Sequence, residues 1–207
     1  MEQLTPKKES QVIVLPVAWR EAAAFGALWG AIEITVGSFL HATRIPLSGV
    51  FLAAVGVALL TAGQILIKRN WFPLRTALVC AAIRTLSPEG LMPGPMAAII
   101  LQGLLVSVSF RIFRTASIAG PVAGFIASIF TQLQGFVVKL IAYGGNLWEL
   151  YVRLLERSEK LFHLQPGQGW YVVVFYLILI SVVGILGGIF GYNLGRTALK
   201  LREVKND

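Results

Sequence analysis

Residues 170–194 read WYVVVFYLILISVVGILGGIFGYNL, 25 positions without one Asp, Glu, Lys or Arg. A helix rises about 1.5 Å per residue, so this run is long enough to cross the roughly 30 Å hydrocarbon core of a bilayer. Five further apolar stretches precede it, at about residues 19–40, 47–67, 71–86, 95–110 and 117–142. The third is shorter than the others and carries Arg75 and Arg84. Six spans of about 20 residues use roughly 120 positions, which leaves only short loops and tails. The expected fold is all-α, a single integral membrane bundle of six transmembrane helices over residues 1–207.

Composition agrees. Of 207 residues 56% are apolar and 14% charged, and the mean hydropathy is +0.73. Soluble domains average about 45–50% apolar and about 25% charged, so an ordinary cytosolic enzyme is excluded. The formal charge of +8 would suggest nucleic acid in a soluble chain. Here the basic residues come in small groups without aromatic interleaving or a nucleic-acid motif, and no nucleic-acid partner is expected. One cysteine, Cys80, allows neither an internal disulfide nor a multi-cysteine metal site.

The basic residues set the expected orientation, because Lys and Arg collect on cytoplasmic loops. With the N-terminus inside, the inner segments hold Lys7, Lys8, Arg20, Lys68, Arg69, Arg111, Arg114, Arg196, Lys200, Arg202 and Lys205. The outer loops hold His41 and Arg44, then Glu89, then a mixed set of Arg153, Arg157 and Lys160 against Glu149, Glu156 and Glu159. Both termini are therefore expected inside, in the cytoplasmic membrane of a prokaryote. Residues 11–19, broken by Pro16, are too short to span, and no small-residue cleavage site marks a signal peptide. The connections are rich in Pro and Gly, as at Arg44-Ile45-Pro46 and Pro93-Gly94-Pro95.

The last outer loop has a helical period of its own. Leu150, Tyr151, Leu154, Leu155, Leu161 and Phe162 follow the spacing of an amphipathic helix over about 147–162. Asn146 and Glu149 form a variant of the capping box, and Gln165-Pro166-Gly167 ends the helix. Lying between the fifth and sixth spans, it is either an interfacial anchor or a lid over an outward-facing site.

Polar side chains inside spans are costly and face a bundle interior or cavity. Counted at about 1.5 Å per residue, Glu33 lies about two-thirds of the way out on the first helix. Arg84 lies near the outer end of the third, and Gln102 about seven residues down the fourth. On the fifth, Gln132 and Gln134 sit past the middle, with Lys139 nearer the outer face. All fall in the outer half. The inner halves are apolar except for Arg75 and Gln64, which are expected to snorkel to the cytoplasmic boundary. This asymmetry points to an outward-facing polar pocket, with Glu33 and Arg84 either binding ligand or forming a structural ion pair.

Small residues form two stripes. Ala23, Ala27 and Ala31 recur every four residues on the first helix, with Ala22, Gly26 and Gly30 one position behind. Gly187, Gly191 and Gly195 do the same on the last, beside Gly184 and Gly188. Such stripes either pack the bundle internally or dock another membrane protein. No phosphate loop, His-Glu-x-x-His or Gly-x-Ser-x-Gly occurs, so the chain has no ATPase motif and no catalytic residue is assigned. His41 and His163 are far apart, and neither is expected to hold a metal.

Six helices in about 200 residues, with the Ala23-x-x-x-Ala27-x-x-x-Ala31 run, resemble the substrate-binding S components of energy-coupling factor (ECF) transporters. The segment from Arg84 through Ser87-Pro88-Glu89-Gly90 to Met96 resembles the loop joining their third and fourth helices. The resemblance implies a binder that captures a vitamin or related micronutrient near the extracellular face. It also implies that the alanine stripe docks a transmembrane coupling protein and that a pair of cytoplasmic ATPases drives transport. The chain opens Met-Glu-Gln where the metal-binding members have Met-His, which argues against a metal substrate.

Glu33, Arg84, Glu89, Gln102, Gln132, Lys139, Asn146 and Trp148 are the candidate ligand residues, suited to a hydrogen-bonding or zwitterionic organic molecule with a ring. Ala23, Ala27, Ala31, Gly187 and Gly191 are the candidate docking residues. No cofactor is expected. Two other classes stay open: a structural membrane scaffold of the MreD type, which needs no ligand, and a small membrane enzyme acting on lipid, which needs a nucleophile or metal at the interface.

Overall fold

The computed structural model describes residues 16–43, 48–86, 93–144, 146–161, 163 and 165–206. Among them there are seven helices and no strand: α1 (Val17–Ala42), α2 (Ser48–Ile67), α3 (Phe72–Arg84), α4 (Pro93–Ile112), α5 (Ala116–Tyr143), α6 (Asn146–Leu161) and α7 (Trp170–Asn206).

Local chemistry explains the boundaries. The Pro16 carbonyl accepts the first amides of α1, from Trp19 at 2.8 Å and Arg20 at 3.2 Å. Trp71, with φ of 61° in the left-handed region, breaks the chain between α2 and α3, and Pro73 lies in the first turn after it. Gly144, at φ of 60°, closes α5 by donating its N–H to the Leu140 carbonyl. α6 is the amphipathic helix expected between the last two spans, displaced by one residue at each end.

Five helices are long and apolar enough to cross a membrane: α1, α2, α4, α5 and α7. The third expected span is not among them. α3 has 13 residues, about 20 Å at 1.5 Å each, short of the roughly 30 Å core. It is nonetheless well buried, through Phe72, Pro73, Thr76, Ala77, Cys80, Ala81 and Arg84. α7 departs the other way and runs 37 residues, past the apolar limit at 194. The residues beyond Gly195 include neither Gly nor Pro, so nothing in the backbone stops the helix where hydropathy falls.

Close contacts fix how the helices run. Along α7, Gly187, Gly191 and Gly195 meet Ala54, Ala58 and Ala62 of α2 in the same order, so these two helices are parallel. Gly120 and Gly124 of α5 meet Gly188 and Gly184 of α7, so that pair is antiparallel. α2 touches α1, α3, α4, α5 and α7 and is the central helix. The core joins Trp29 of α1, Leu60 of α2, Ala77, Cys80 and Ala81 of α3, Ile99 and Val106 of α4 and Ala123 of α5.

The result is a bundle with two distinct ends. One end carries the start of α2, the end of α3, the start of α4 and the end of α5. The opposite end carries the start of α1, where Glu21 pairs with Arg69 at 2.7 Å, and the end of α7. Among the described residues α6 packs on α5 and α7. The Phe136 and Tyr151 rings meet at 5.2 Å, and Glu159 Oε1 accepts the N–H groups of Gly167 and Gly169 at 2.9 and 2.8 Å.

Candidate functional site

The end of the bundle that carries the α1–α2, α3–α4 and α5–α6 connections contains a cavity of about 420 Å³. Each wall comes from the end of a helix that faces this side. α1 supplies Glu33 and α3 its last residue, Arg84; α2 supplies Gly49, Leu52 and Ala53. α4 supplies Gly94, Pro95, Ala98, Ile99 and Gln102, and α5 supplies Thr131, Gln132, Gln134, Gly135 and Val138. Four of the sequence-predicted ligand residues therefore meet in one space: Glu33, Arg84, Gln102 and Gln132.

Glu33 and Arg84 are both 8% exposed. Arg84 Nη1 donates to Glu33 Oε2 at 2.9 Å, and the indole Nε1 of fully buried Trp29 donates to Glu33 Oε1 at 3.2 Å. Both carboxylate oxygens thus have a donor, which is what burial of a charge requires. Among the described residues lining the cavity these two are the only charged ones, and they balance each other.

The remaining polarity comes from carboxamides. Gln102, 4% exposed, donates Nε2 to the Ala53 carbonyl at 2.6 Å. Gln134 donates to the Gly94 carbonyl at 3.1 Å. Gln132 accepts from the Tyr176 hydroxyl of α7 at 3.2 Å. Leu52, Ile99 and Val138 make the apolar part of the wall. Carboxamides with one amide edge engaged keep the other edge for a ligand, since each carries two donor hydrogens and an acceptor oxygen. The cavity falls in the usual range of roughly 300–1,000 Å³ for small-molecule sites.

The other expected site residues divide in two. Glu89 lies outside the described residues. Lys139 lies on the last turns of α5, and Asn146 and Trp148 on the first turn of α6; their side chains are likewise outside those described. Sequence reasoning missed Thr131, which lines the cavity, and Trp29, whose i, i+4 relation to Glu33 was the available signal.

The stripes separate cleanly by face. Ala22, Gly26 and Gly30 are buried, and a Cβ on Gly26 would meet Val79 of α3 at 2.7 Å. Ala27 and Ala31, one position on, are exposed, and Ala23 is half-buried. Gly187 and Gly191 face the α2 backbone at Ala54 and Ala58, so this stripe is occupied by packing within the chain. Gln64 also differs from expectation. Its Oε1 is buried, with no hydrogen-bond partner among the described residues, because a glutamine stem is too short to snorkel as Lys and Arg do. Among the described residues no group of three or more His, Cys, Asp or Glu is placed to hold a metal ion.

The chain matches no protein-family model, no curated protein and no solved structure.

Proposed function

We propose that this chain is the substrate-binding membrane subunit of an importer of the energy-coupling factor type. It captures a small organic micronutrient at the extracellular face and delivers it with a transmembrane coupling protein and a pair of cytoplasmic ATPases. The observation that carries this reading is the cavity at one end of the bundle. A buried, charge-balanced Glu33–Arg84 pair and three glutamines line it, and the core beneath is apolar.

In this reading α3 makes the sixth crossing, returning the chain to the cavity end through protein rather than lipid. The end opposite the cavity holds Arg20, Lys68, Arg69, Arg111, Arg114, Arg196, Lys200 and Arg202, with Glu21 and Glu203 the acids among the described residues there. That bias supports a cytoplasmic position for this end and an outer position for the cavity. Internal charge balance favours a neutral or zwitterionic ligand, held by amide hydrogen bonds against an apolar wall. α6 follows α5 at the same end and serves as a cover or an interfacial anchor. Ala23, Ala27 and Ala31 give the coupling protein a surface on which helix backbones approach closely.

The test is to purify the chain from its native membrane and identify retained small molecules by mass spectrometry. One retained organic ligand, lost in Gln132→Ala while the protein still melts normally, supports the proposal. Its survival in Gln132→Ala, Gln102→Ala and Arg84→Ala alike places binding elsewhere. Association with cell-wall machinery and no ligand at all identifies a scaffold.

A further inference from the structure

At the opposite end of the bundle a second cavity, about 220 Å³, opens where the α2–α3 connection meets the end of α4. It is lined by Gln64, Asn70, Trp71, Ser107, Phe110 and Arg111. We propose that it binds the headgroup of a phospholipid whose phosphate lies beside a hydrogen-bond donor, as in phosphatidylglycerol or phosphatidylethanolamine. This inference does not depend on what the first cavity binds.

Arg111 supplies the anion-binding element. Its guanidinium stacks over the Trp71 ring, 5.3 Å from the centroid. A guanidinium over an aromatic face engages the ring through its plane, and its N–H edge is the part suited to a phosphate. Trp71 is held there by its left-handed backbone, φ 61°, which turns the chain between α2 and α3. No carboxylate lines the cavity among the described residues, so none of them competes with an anion for Arg111.

Gln64 supplies the second requirement. Its Oε1 is buried and has no hydrogen-bond partner among the described residues, an arrangement that is costly unless the amide turns into the cavity that Gln64 lines and meets a donor there. Ser107 does not serve, because its hydroxyl already accepts from Leu74 N–H at 3.0 Å and donates to the Gly103 carbonyl at 2.8 Å. A ligand carrying both a phosphate and a hydroxyl or ammonium satisfies Arg111 and Gln64 together. A choline headgroup, with no N–H, does not.

The position fits a lipid. Trp71 is 36% exposed and Trp19 38%, and Arg75 lies over the Trp19 ring at 6.0 Å. Partly exposed tryptophans paired with arginines mark the headgroup level of a membrane protein.

The experiment is native mass spectrometry of the full chain in detergent, with phosphatidylglycerol, phosphatidylethanolamine and phosphatidylcholine offered in equal amounts. Wild type is expected to retain the first two at least tenfold over phosphatidylcholine. Arg111→Ala should lose that retention about tenfold, and Gln64→Leu should bring the three lipids to similar, weak retention. Inorganic phosphate and glycerol phosphate, added at millimolar concentration, test the source. Displacement of the lipid by either assigns the site to a soluble phosphate ester and overturns the lipid assignment. Equal retention of phosphatidylcholine by wild type, or unchanged retention in Arg111→Ala, overturns the site itself. Arg111 lies at the exposed end of α4, so its replacement leaves the core intact.

Discussion

Arg84, the last residue of α3, places its Nη1 2.9 Å from Oε2 of Glu33 on α1, 51 positions earlier in the chain. The bond joins a short helix to a long one at the rim of the larger cavity, with both side chains about nine-tenths buried. Removing one partner strands a buried charge, which typically costs about 3–5 kcal/mol. Arg84→Met and Glu33→Leu alone should therefore each lower stability by about that amount, whereas the double variant should recover most of the loss. A double-mutant cycle by thermal melting in detergent checks this. Additive losses would mean that the two side chains do not depend on each other.

Gln132 offers a gentler probe of the same cavity. It is partly buried and its known partner is one hydroxyl, that of Tyr176. Losing such a bond costs about 0.5–1.5 kcal/mol, so Gln132→Ala should melt close to wild type. Retention of a ligand held by the carboxamides should fall by about tenfold. Tyr176→Phe should give a smaller loss, since it frees Gln132 without removing it. If Tyr176→Phe weakens retention more than Gln132→Ala, the ligand contacts the hydroxyl and not the amide.

The contact between α5 and α7 depends on the absence of side chains. A Cβ on Gly124 would run into the Gly184 carbonyl of the facing helix. Gly124→Ala should force the helices apart and cost about 1–3 kcal/mol, the usual range for overpacking. Gly135, on the same helix, has no atom of a described residue within 4 Å of an added Cβ. Gly135→Ala should be neutral or raise stability by about 0.5–1 kcal/mol, because alanine is the better helix former. Comparing the two melting curves separates helix propensity from packing.

How much of this could be read before folding depended on the kind of signal. Burial of a charge is expensive, so Glu33 and Arg84 stood out in apolar runs, and counting residues at a fixed rise put them in the same half of the bundle as Gln102 and Gln132. The cavity that joins them followed from that register. Periodicity also gave α6, because only an amphipathic helix spaces leucines as residues 150–161 do. Hydropathy alone did not fix the lengths of the helices. Within residues 71–86 the apolar Phe72, Ala77, Cys80 and Ala81 are buried against protein, and the helix there has only 13 residues. The polar end of α7 stays helical because helix termination is set by backbone chemistry and not by polarity. The glycine stripe on α7 had the same spacing as the alanine stripe on α1. Which one faces inward depends on where α2 lies, and that is a property of the packed bundle. The unpartnered oxygen of Gln64 likewise exists only once α2, α3 and α4 close around it.

The two stripes of α1 allow docking to be tested apart from folding. Ala27 is exposed whereas its neighbour Gly26 is buried, and a Cβ on Gly26 would lie 2.8 Å from the Thr76 carbonyl of α3. Ala27→Trp therefore adds bulk to a face that no part of the described chain covers, and melting should change by less than about 0.5 kcal/mol, as for other surface substitutions. Close helix approach by a partner depends on small residues, so the same variant should lose co-purification with a coupling protein while keeping its bound ligand. Gly26→Leu should do the reverse to the fold, separating α1 from α3 and lowering the melting temperature with or without a partner. Co-purification that survives Ala27→Trp and Ala31→Trp together would assign this face to lipid, leaving the coupling protein to dock elsewhere on the bundle.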